Sequence, residues 1–329
     1  MQNILVTGGA GYIGSHACKA LSKAGYRPIA YDNLSFGHEW AVKWGPLERG
    51  DILDRQRLDE VLKQYQPAAV MHFAAFTYVG ESVTDPGKYY RNNVAGSLAL
   101  LEAMRDRNIG TIIFSSTCAT YGIPESVPIA EDAPQRPINP YGAAKLMVER
   151  MIQDFAAAHT LKYALLRYFN ASGADPDNQI GEDHNPETHL IPLALDAAAG
   201  RRPNLTVFGS DYETPDGTCI RDYIHVTDLA AAHICALEAL TKGGHASAAY
   251  NLGNGLGASV NDVIETTQRV TGFMVPVVRG ARRPGDPAVL ITNSAKAHEE
   301  LGWVPRITDL GEIIATAWAW HQRQWPSGR

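Results

Sequence analysis

Cysteine is scarce in this chain: four in 329 residues, Cys18, Cys118, Cys219 and Cys235, with no Cys-x-x-Cys spacing. That excludes a disulfide framework and a cysteine-built metal site, and it reads as the reduced thiols of a cytoplasmic protein. No apolar run approaches the length of a membrane span; the most apolar stretch, residues 68–76, is short and interrupted by His72. The first apolar run, Ile4-Leu5-Val6, leads straight into glycines and reads as a strand rather than a targeting segment. Positive charge is not in excess either, the formal net charge being −6, which argues against a nucleic-acid partner. The arginines come singly or in pairs (Arg201-Arg202, Arg282-Arg283), a pattern that suits gripping one small anion. Internal repeats and low-complexity tracts are absent. What remains is 45% hydrophobic and 19% charged, enough for a sizeable core, over a length that suggests two domains or one large α/β domain with an appendage.

The stretch 111–145 concentrates the chemistry. Thr111-Ile112-Ile113-Phe114 reads as a buried strand, ending in the small polar cluster Ser115-Ser116-Thr117. After a loop with several prolines comes Asn139-Pro140-Tyr141-Gly142-Ala143-Ala144-Lys145. Asn139 predicts a helix N-cap and Pro140 the first helical position. Tyr141 and Lys145 then lie one turn apart on a single face. A phenol, an ammonium and the Thr117 hydroxyl at a strand end are the parts of an acid/base centre that needs no metal. The expectation is that the ammonium stabilises the phenolate, so that Tyr141 titrates nearer neutrality than its usual pKa of about 10. The spacing alone describes an ordinary helix face equally well; the N-terminus decides between the two.

There a strand over residues 3–6 is followed by Thr7-Gly8-Gly9-Ala10-Gly11-Tyr12-Ile13-Gly14 and then a helical pattern to about residue 24. Gly8, Gly11 and Gly14 suit a tight turn, close backbone approach to a pyrophosphate and close helix–strand packing, with the helix N-terminus facing the phosphates. The second strand ends in Asp32, placed to accept hydrogen bonds from the adenosine ribose; its charge repels a 2′-phosphate, so NAD is expected over NADP. Asp51, in Gly50-Asp51-Ile52, either binds the adenine amino group or caps the helix near Asp54. A buried strand over 68–72 leads into Phe73-Ala74-Ala75, small enough for a cofactor to lie against the backbone.

A long helical stretch over 86–107 follows, carrying Asn92 and Asn93, and a further strand over 163–168 ends in Phe169-Asn170. This alternation predicts an α/β fold, a Rossmann-type doubly wound parallel sheet with a smaller mixed α/β substrate domain. The boundary falls after Asn170, giving residues 1–170 and 171–329. The two are expected to interleave, since segments near 217–253, above all the strand-like 249–253, return to the first. The loop Gly181-Glu182-Asp183-His184-Asn185-Pro186-Glu187-Thr188-His189 holds metal-ligating residue types. Its histidines lack helical zinc spacing and Pro186 breaks any helix through it, so no metal is expected.

With these pieces placed, the chain resembles the extended short-chain dehydrogenase/reductase family, and within it the nucleotide-sugar 4-epimerases. The residues that carry the resemblance run nearly end to end: Gly8 to Gly14 with Ser15-His16, Asp32-Asn33-Leu34, Val79-Gly80-Glu81-Ser82, Asn92-Asn93-Val94, Phe114 to Thr117, and Tyr141 with Lys145. The second half adds Leu166 to Asn170, Gly217, Arg221-Asp222-Tyr223-Ile224-His225 and Arg283-Pro284-Gly285-Asp286. The chain departs from the family pattern at Thr117, often a serine, at Thr77, often a lysine near the cofactor, and at His189, where several members have asparagine.

The resemblance implies a homodimer, formed through the two long helices of the first domain, that interconverts UDP-galactose and UDP-glucose through a transient 4-keto sugar. It implies Tyr141 as the base at C4, Lys145 as its partner and holder of the nicotinamide ribose, and Thr117 orienting the reacting hydroxyl. NAD contacts are implied for Gly8, Gly11, Tyr12, Ile13, Gly14, Asp32, Asn33, Asp51, Ile52, Phe73, Ala74, Ala75, Asn92, Ser115, Tyr141, Lys145 and Tyr168. The UDP-sugar is implied to meet Thr117, Tyr141, Asn170, His189, Leu190, Thr206, Phe208, Arg221, Tyr223, Arg283, Asp286 and Leu290. Leu290 falls at the wall beside the sugar. UDP-xylose and UDP-arabinose are alternative substrates of the same mechanism. A 4,6-dehydratase is the nearer rival reaction, but its acidic group after the strand-end hydroxyl is replaced here by Cys118 and Ala119. A catalytically silent NAD-sensing protein on the same fold is the rival of another class.

Overall fold

The structure, a computed structural model, describes residues 1–283 and 286–325; Pro284 and Gly285 of the motif quoted above lie outside the described residues. The chain opens with β1 (Asn3–Thr7), α1 (Tyr12–Lys23), β2 (Arg27–Asp32), β3 (Leu47–Arg49), α2 (Arg55–Tyr65) and β4 (Ala69–His72). Then come α3 (Val79–Thr84), α4 (Pro86–Tyr89), α5 (Gly96–Asp106), β5 (Thr111–Thr117), α6 (Pro140–Ala158) and β6 (Lys162–Tyr168). The second half comprises β7 (Asn170–Ser172), α7 (Leu190–Ala198), β8 (Leu205–Phe208), β9 (Ile220–Arg221), β10 (Tyr223–His225), α8 (Val226–Thr241) and β11 (Ala248–Leu252). It closes with β12 (Ala258–Ser259), α9 (Val260–Thr271), β13 (Val277–Gly280), β14 (Val289–Leu290), α10 (Ala295–Leu301) and α11 (Leu310–Gln324).

Seven strands form the central parallel sheet in the order β11-β6-β5-β4-β1-β2-β3. Its strands are apolar on both faces because both faces are covered. Ile4 and Val6 of β1 join a core built with Ala17 and Leu21 of α1 and Leu229 and Leu237 of α8. Leu5, between them, points the other way, into a core with Leu58 of α2, Leu100 of α5 and Val148 of α6. That alternation is why an apolar run rather than an amphipathic pattern marks such strands. The chain runs outward from β1 through β2 to β3, then returns to β4 on the other side of β1. This reversal leaves a crevice at the strands' C-terminal ends, the usual place for a ligand on such a sheet. The second layer packs α7, α9 and α11 around Ile191, Leu195, Val263 and Ile314. It carries the small sheets β12-β9-β14 and β13-β8. β11 pairs in parallel with β6 at the edge of the main sheet.

Two elements carry detail beyond the expectation. The Ser115-Ser116-Thr117 cluster forms the end of β5, paired to Leu166, Arg167 and Tyr168. Polar residues persist there because each hydroxyl finds a partner in the fold: Ser115 with the Tyr168 phenol, Ser116 with Glu149. The helical stretch expected over 86–107 runs unbroken from Pro86 to Asp106, with one π-helical segment inside it. Asp85 caps α4 by accepting from the Lys88 N–H at 3.1 Å, and a π-helical turn, Tyr90–Ala95, precedes α5. Inside that turn Asn93 is buried and its side-chain amide pairs with both backbone groups of Phe76, which pins the extra residue.

Candidate active site

Asn139 caps α6, its side-chain oxygen accepting from the Gly142 N–H at 2.8 Å, and Pro140 opens the first turn. This cap sets the register that turns Tyr141 and Lys145 inward toward the end of β5. Both are buried, as is Thr117. The Thr117 hydroxyl accepts from the Ala119 N–H at 3.2 Å, which leaves its own proton free to donate. The Lys145 ammonium donates to the Ser115 carbonyl at 2.7 Å and lies 4.9 Å from the Phe114 ring centroid.

In this structure burial, rather than Lys145, sets the Tyr141 phenol. Burial pushes the Tyr141 phenol up, Tyr168 adds to this, and a hydrogen bond with Thr117 only partly opposes it. Lys145 is itself brought down to about 7 by burial, against the pull of Glu149. Desolvation, not the lysine, therefore dominates both groups.

At the crevice, Gly8 closes the turn after β1 with φ +72°, and a Cβ there would lie 2.7 Å from the Ala74 backbone nitrogen. A Cβ on Gly14 would lie 2.1 Å from the Gly8 carbonyl oxygen, so α1 can approach the turn only with glycine there. Gly11 is the N-cap of α1 and offers no side-chain cap; a Cβ on it would meet only the Gly8 carbonyl, at 3.3 Å. The helix start thus presents open N–H groups over an uncovered glycine, the cradle a pyrophosphate fits. Asp32 accepts from the Ala10 N–H at 2.9 Å and the Leu34 N–H at 2.8 Å, one bond to each carboxylate oxygen, leaving each oxygen further capacity.

Asp51 is not the cap of α2, a place taken by Asp54. Asp51 instead accepts from the Leu53 N–H and, at 2.8 Å, from the Asn33 side-chain amide. Asn33, Asp51 and Asn92 line one open cleft together with Phe76 and Lys88. The Ile52 side chain is core, packed against Gly96, so only its backbone faces outward. Phe73 lies beside His233, its ring 4.8 Å away, with Ala74 and Ala75 continuing along the crevice. The Tyr12 phenol donates to the Gly173 carbonyl at 2.6 Å, and Ile13 packs on the core.

On the other side, Arg221 pairs with Asp286, and the Arg283 guanidinium stacks 4.2 Å above the partly exposed Phe208 ring. Thr206 and Phe208 lie along β8 opposite Val278 and Gly280. Leu290 stands beside Arg221 in the β9–β14 register and packs against Tyr121, Ile129 and Phe169. Asn170 and Tyr223 are register partners on β7 and β10. The Tyr223 side chain is buried with Ile191 and Leu195, whereas Leu190 begins α7 with His189 as its N-cap. The loop before α7 gathers Glu182, His184, Glu187 and His189, whose ligating atoms all lie within 4.8 Å of one another.

Glu149 was missed in the sequence. It is buried on α6 one turn beyond Lys145, forms a 2.7 Å ion pair with the buried Arg167 and accepts from Ser116. Its signal was available: Tyr141, Lys145 and Glu149 repeat at one-turn spacing on one face.

A nucleotide-cofactor turn at a sheet's switch point, beside a buried Thr–Tyr–Lys group, defines a class, and residues 4–253 match the model of the NAD dependent epimerase/dehydratase family. The chain belongs to this family. Among individual relatives it is 55% identical to a UDP-glucose 4-epimerase of Rhizobium leguminosarum bv. trifolii, over 98% of either chain. It superposes with TM-score 0.94 on the crystal structure of UDP-glucose 4-epimerase from Brucella ovis in complex with NAD, at 56% identity over 97% of this chain and 98% of that one. With the enzyme from Bifidobacterium longum in complex with NAD+ and UDP it shares 37% identity and a TM-score of 0.93, over 100% of both chains.

Proposed function

We propose that this chain interconverts UDP-galactose and UDP-glucose by reversible oxidation at the sugar C4, with NAD as a retained cofactor. The observation that carries this reading is the convergence of Thr117, Tyr141 and Lys145 at the end of β5, beside the Gly8–Gly14 turn. When bound, NAD supplies the hydride acceptor and, on return, the hydride donor at C4. Gly11 and the α1 N-terminus hold its pyrophosphate; Asp32 and Asn33 hold the adenosine ribose, Asp51 with the Ile52 backbone the adenine. The Phe73-Ala74-Ala75 backbone, Tyr12, Ile13, Asn92, Ser115 and Tyr168 complete its cradle. Asp32, already anchored by two N–H groups, favours NAD over NADP.

Tyr141 takes the C4 hydroxyl proton and later returns it from the other face of the sugar. Because burial holds its phenol above the ordinary value, it acts as a base only when the phenolate is compensated. Lys145, one turn along the same face, and the Thr117 hydroxyl are placed to do this. Glu149 and Arg167 hold that face in place. Arg221 and Arg283 would grip the diphosphate, with Asp286, here paired to Arg221, as the ribose acceptor and Phe208 at the uracil, and Asn170, His189, Leu190, Thr206 and Tyr223 walling the nucleotide. The anchored UDP lets the 4-keto sugar turn over between the two half-reactions. A dehydratase needs an acid and a base next to Thr117. Cys118, its thiol pushed up to about 12 by burial, and Ala119 supply neither.

The division we infer after Asn170 gives cofactor and nucleotide a domain each, with α8 and β11 of the second half returning to the first sheet. Among the described residues no helix is long and apolar enough to cross a membrane. A homodimer in the cytoplasm is the assembly we infer, formed through α5 and α6, which carry exposed Leu98 and Met147.

The test is a product assay with UDP-galactose, UDP-glucose, UDP-xylose and UDP-arabinose side by side, together with the near-ultraviolet spectrum of the bound nicotinamide. Interconversion of the hexose pair, with absorbance of reduced nicotinamide growing on sugar addition, is expected. Pentose turnover alone would reassign the substrate. Bound NAD with no product from any sugar would favour a silent NAD-sensing protein.

A further inference from the structure

We propose that Glu182, His184, Glu187 and His189 bind one divalent transition-metal ion, zinc by the character of the donor set, and that the ion closes the loop before α7 on itself at the start of that helix. Pro186 does break the helix through this segment, but the loop folds back on itself, so that four donors close in sequence converge without a helical spacing. The His189 Nδ1 lies 2.7 Å from Glu182 Oε1 and 3.1 Å from Glu187 Oε1. The His184 Nδ1 lies 3.2 Å from Glu182 Oε1 and 3.7 Å from Glu187 Oε2. Ligands at the corners of a zinc tetrahedron, with bonds of about 2.0–2.1 Å, stand about 3.3–3.4 Å apart; these histidine–carboxylate distances lie to either side of that, and one ligating atom from each residue falls within 4.8 Å of the others. Two imidazoles and two carboxylates are a zinc-type set, and they balance the ion's charge.

An independent observation points the same way. The Glu182 side chain is only 8% exposed, and its Oε1 makes no hydrogen bond although it is fully enclosed; the same holds for the enclosed His184 Nδ1. Two protons shared among the four groups would balance the charge as well, and His189 Nδ1 does reach Glu187 Oε1 along a hydrogen bond at 3.1 Å, but a protonated His184 Nδ1–H should likewise aim at a carboxylate oxygen. His184 Nδ1 sits among oxygens without doing so, which is how a ligand around a shared cation is disposed.

The surroundings hold the donors in place. Glu187 Oε1 accepts from the N–H groups of Thr188 and His189 at 2.6 and 2.7 Å. The Trp320 indole donates to the Glu182 carbonyl at 3.0 Å, and Tyr12 and Tyr78 set their rings edge-on to His184. His189, the most exposed of the four with 42% of its side chain accessible, offers a way in. Four protein ligands leave no open position, so the ion is structural and takes no part in the C4 chemistry.

The test uses untagged holoenzyme made in zinc-supplemented medium and passed over a chelating resin. Elemental analysis should find about one zinc per chain, falling below about a tenth in Glu182→Gln and in His184→Asn with circular dichroism unchanged. Metal-free wild type should regain its melting temperature on adding zinc, and Co2+ in its place should give the intense visible bands of four-coordinate cobalt. Should either variant fail to fold, the Co2+ titration of wild type carries the test. Wild type that holds under about a tenth of an equivalent, with no cobalt bands and no melting shift, would overturn the proposal in favour of a doubly protonated ion-pair cluster. A full equivalent of zinc retained in both variants would equally overturn it, by placing the ion elsewhere.

Discussion

Tyr141 is the residue on which the proposed chemistry turns, and burial works against it by raising its pKa, while Lys145 gives one of its three donors to the Ser115 carbonyl. Removing the phenol should therefore cost all of the proton transfer and little else. Tyr141→Phe is expected to lower kcat by about two to four orders of magnitude while keeping fold and bound NAD, read by circular dichroism and nicotinamide absorbance. Wild-type-like turnover would remove Tyr141 from the mechanism. Leu290 sets a second expectation at this scale. It stands beside Arg221 and packs on Tyr121 and Phe169, a wall that an N-acetyl group would have to displace. Overpacking such a wall costs about 1–3 kcal/mol, or about 5- to 150-fold. Leu290→Ala should therefore raise kcat/KM for UDP-N-acetylgalactosamine relative to UDP-galactose; an unchanged ratio would show that Leu290 is no gate.

Among the elements, the Gly8–Gly14 turn separates two roles that one substitution each can test. A methyl on Gly14 would collide with the Gly8 carbonyl at 2.1 Å, so Gly14→Ala should shift α1 and lower the melting temperature. A methyl on Gly11 meets only that carbonyl at 3.3 Å, so Gly11→Ala should fold near normally yet release NAD more readily. Equal melting curves for the two variants would contradict this division. Such features were legible in the sequence because they are local: the glycines, the Asn139-Pro140 cap and the apolar strands each carry their cause within a few residues. What satisfies the polar end of β5 was not legible, because the partners of its hydroxyls, Glu149 and Tyr168, lie far along the chain. The π turn depends likewise on Asn93 meeting Phe76, and the two-residue strands β9, β12 and β14 on neighbours no periodicity reveals. The burial of Tyr141 was not legible for the same reason, since burial is a property of the fold and not of the motif.

Over the whole molecule, four buried histidines share one fate. Burial lowers His72 to about 3 and His16, His225 and His233 to about 4. An unfolded chain takes up these protons near pH 6.5 while the folded one refuses them, so the stability they allow is intact above about pH 6.5 and is lost as pH falls toward 4. Each contributes a slope of at most about 1.4 kcal/mol per pH unit, so a steep loss of melting temperature between pH 6.5 and 4.5 is expected. His72→Gln should flatten part of it, and a profile level down to pH 5 would contradict the reading. The placement of β11 has a different consequence, one of time. The edge strand that completes the main sheet against β6 is Ala248–Leu252, drawn from far beyond the rest of that sheet. A ribosome that has delivered everything through β6 has therefore made the sheet without its β11 strand, and must go on through β7, α7, β8, β9, β10 and α8 before β6 is paired on that side. Until then β6 is open to strands from neighbouring nascent chains. Premature termination anywhere between β6 and β11 should thus yield aggregates rather than a small folded cofactor domain.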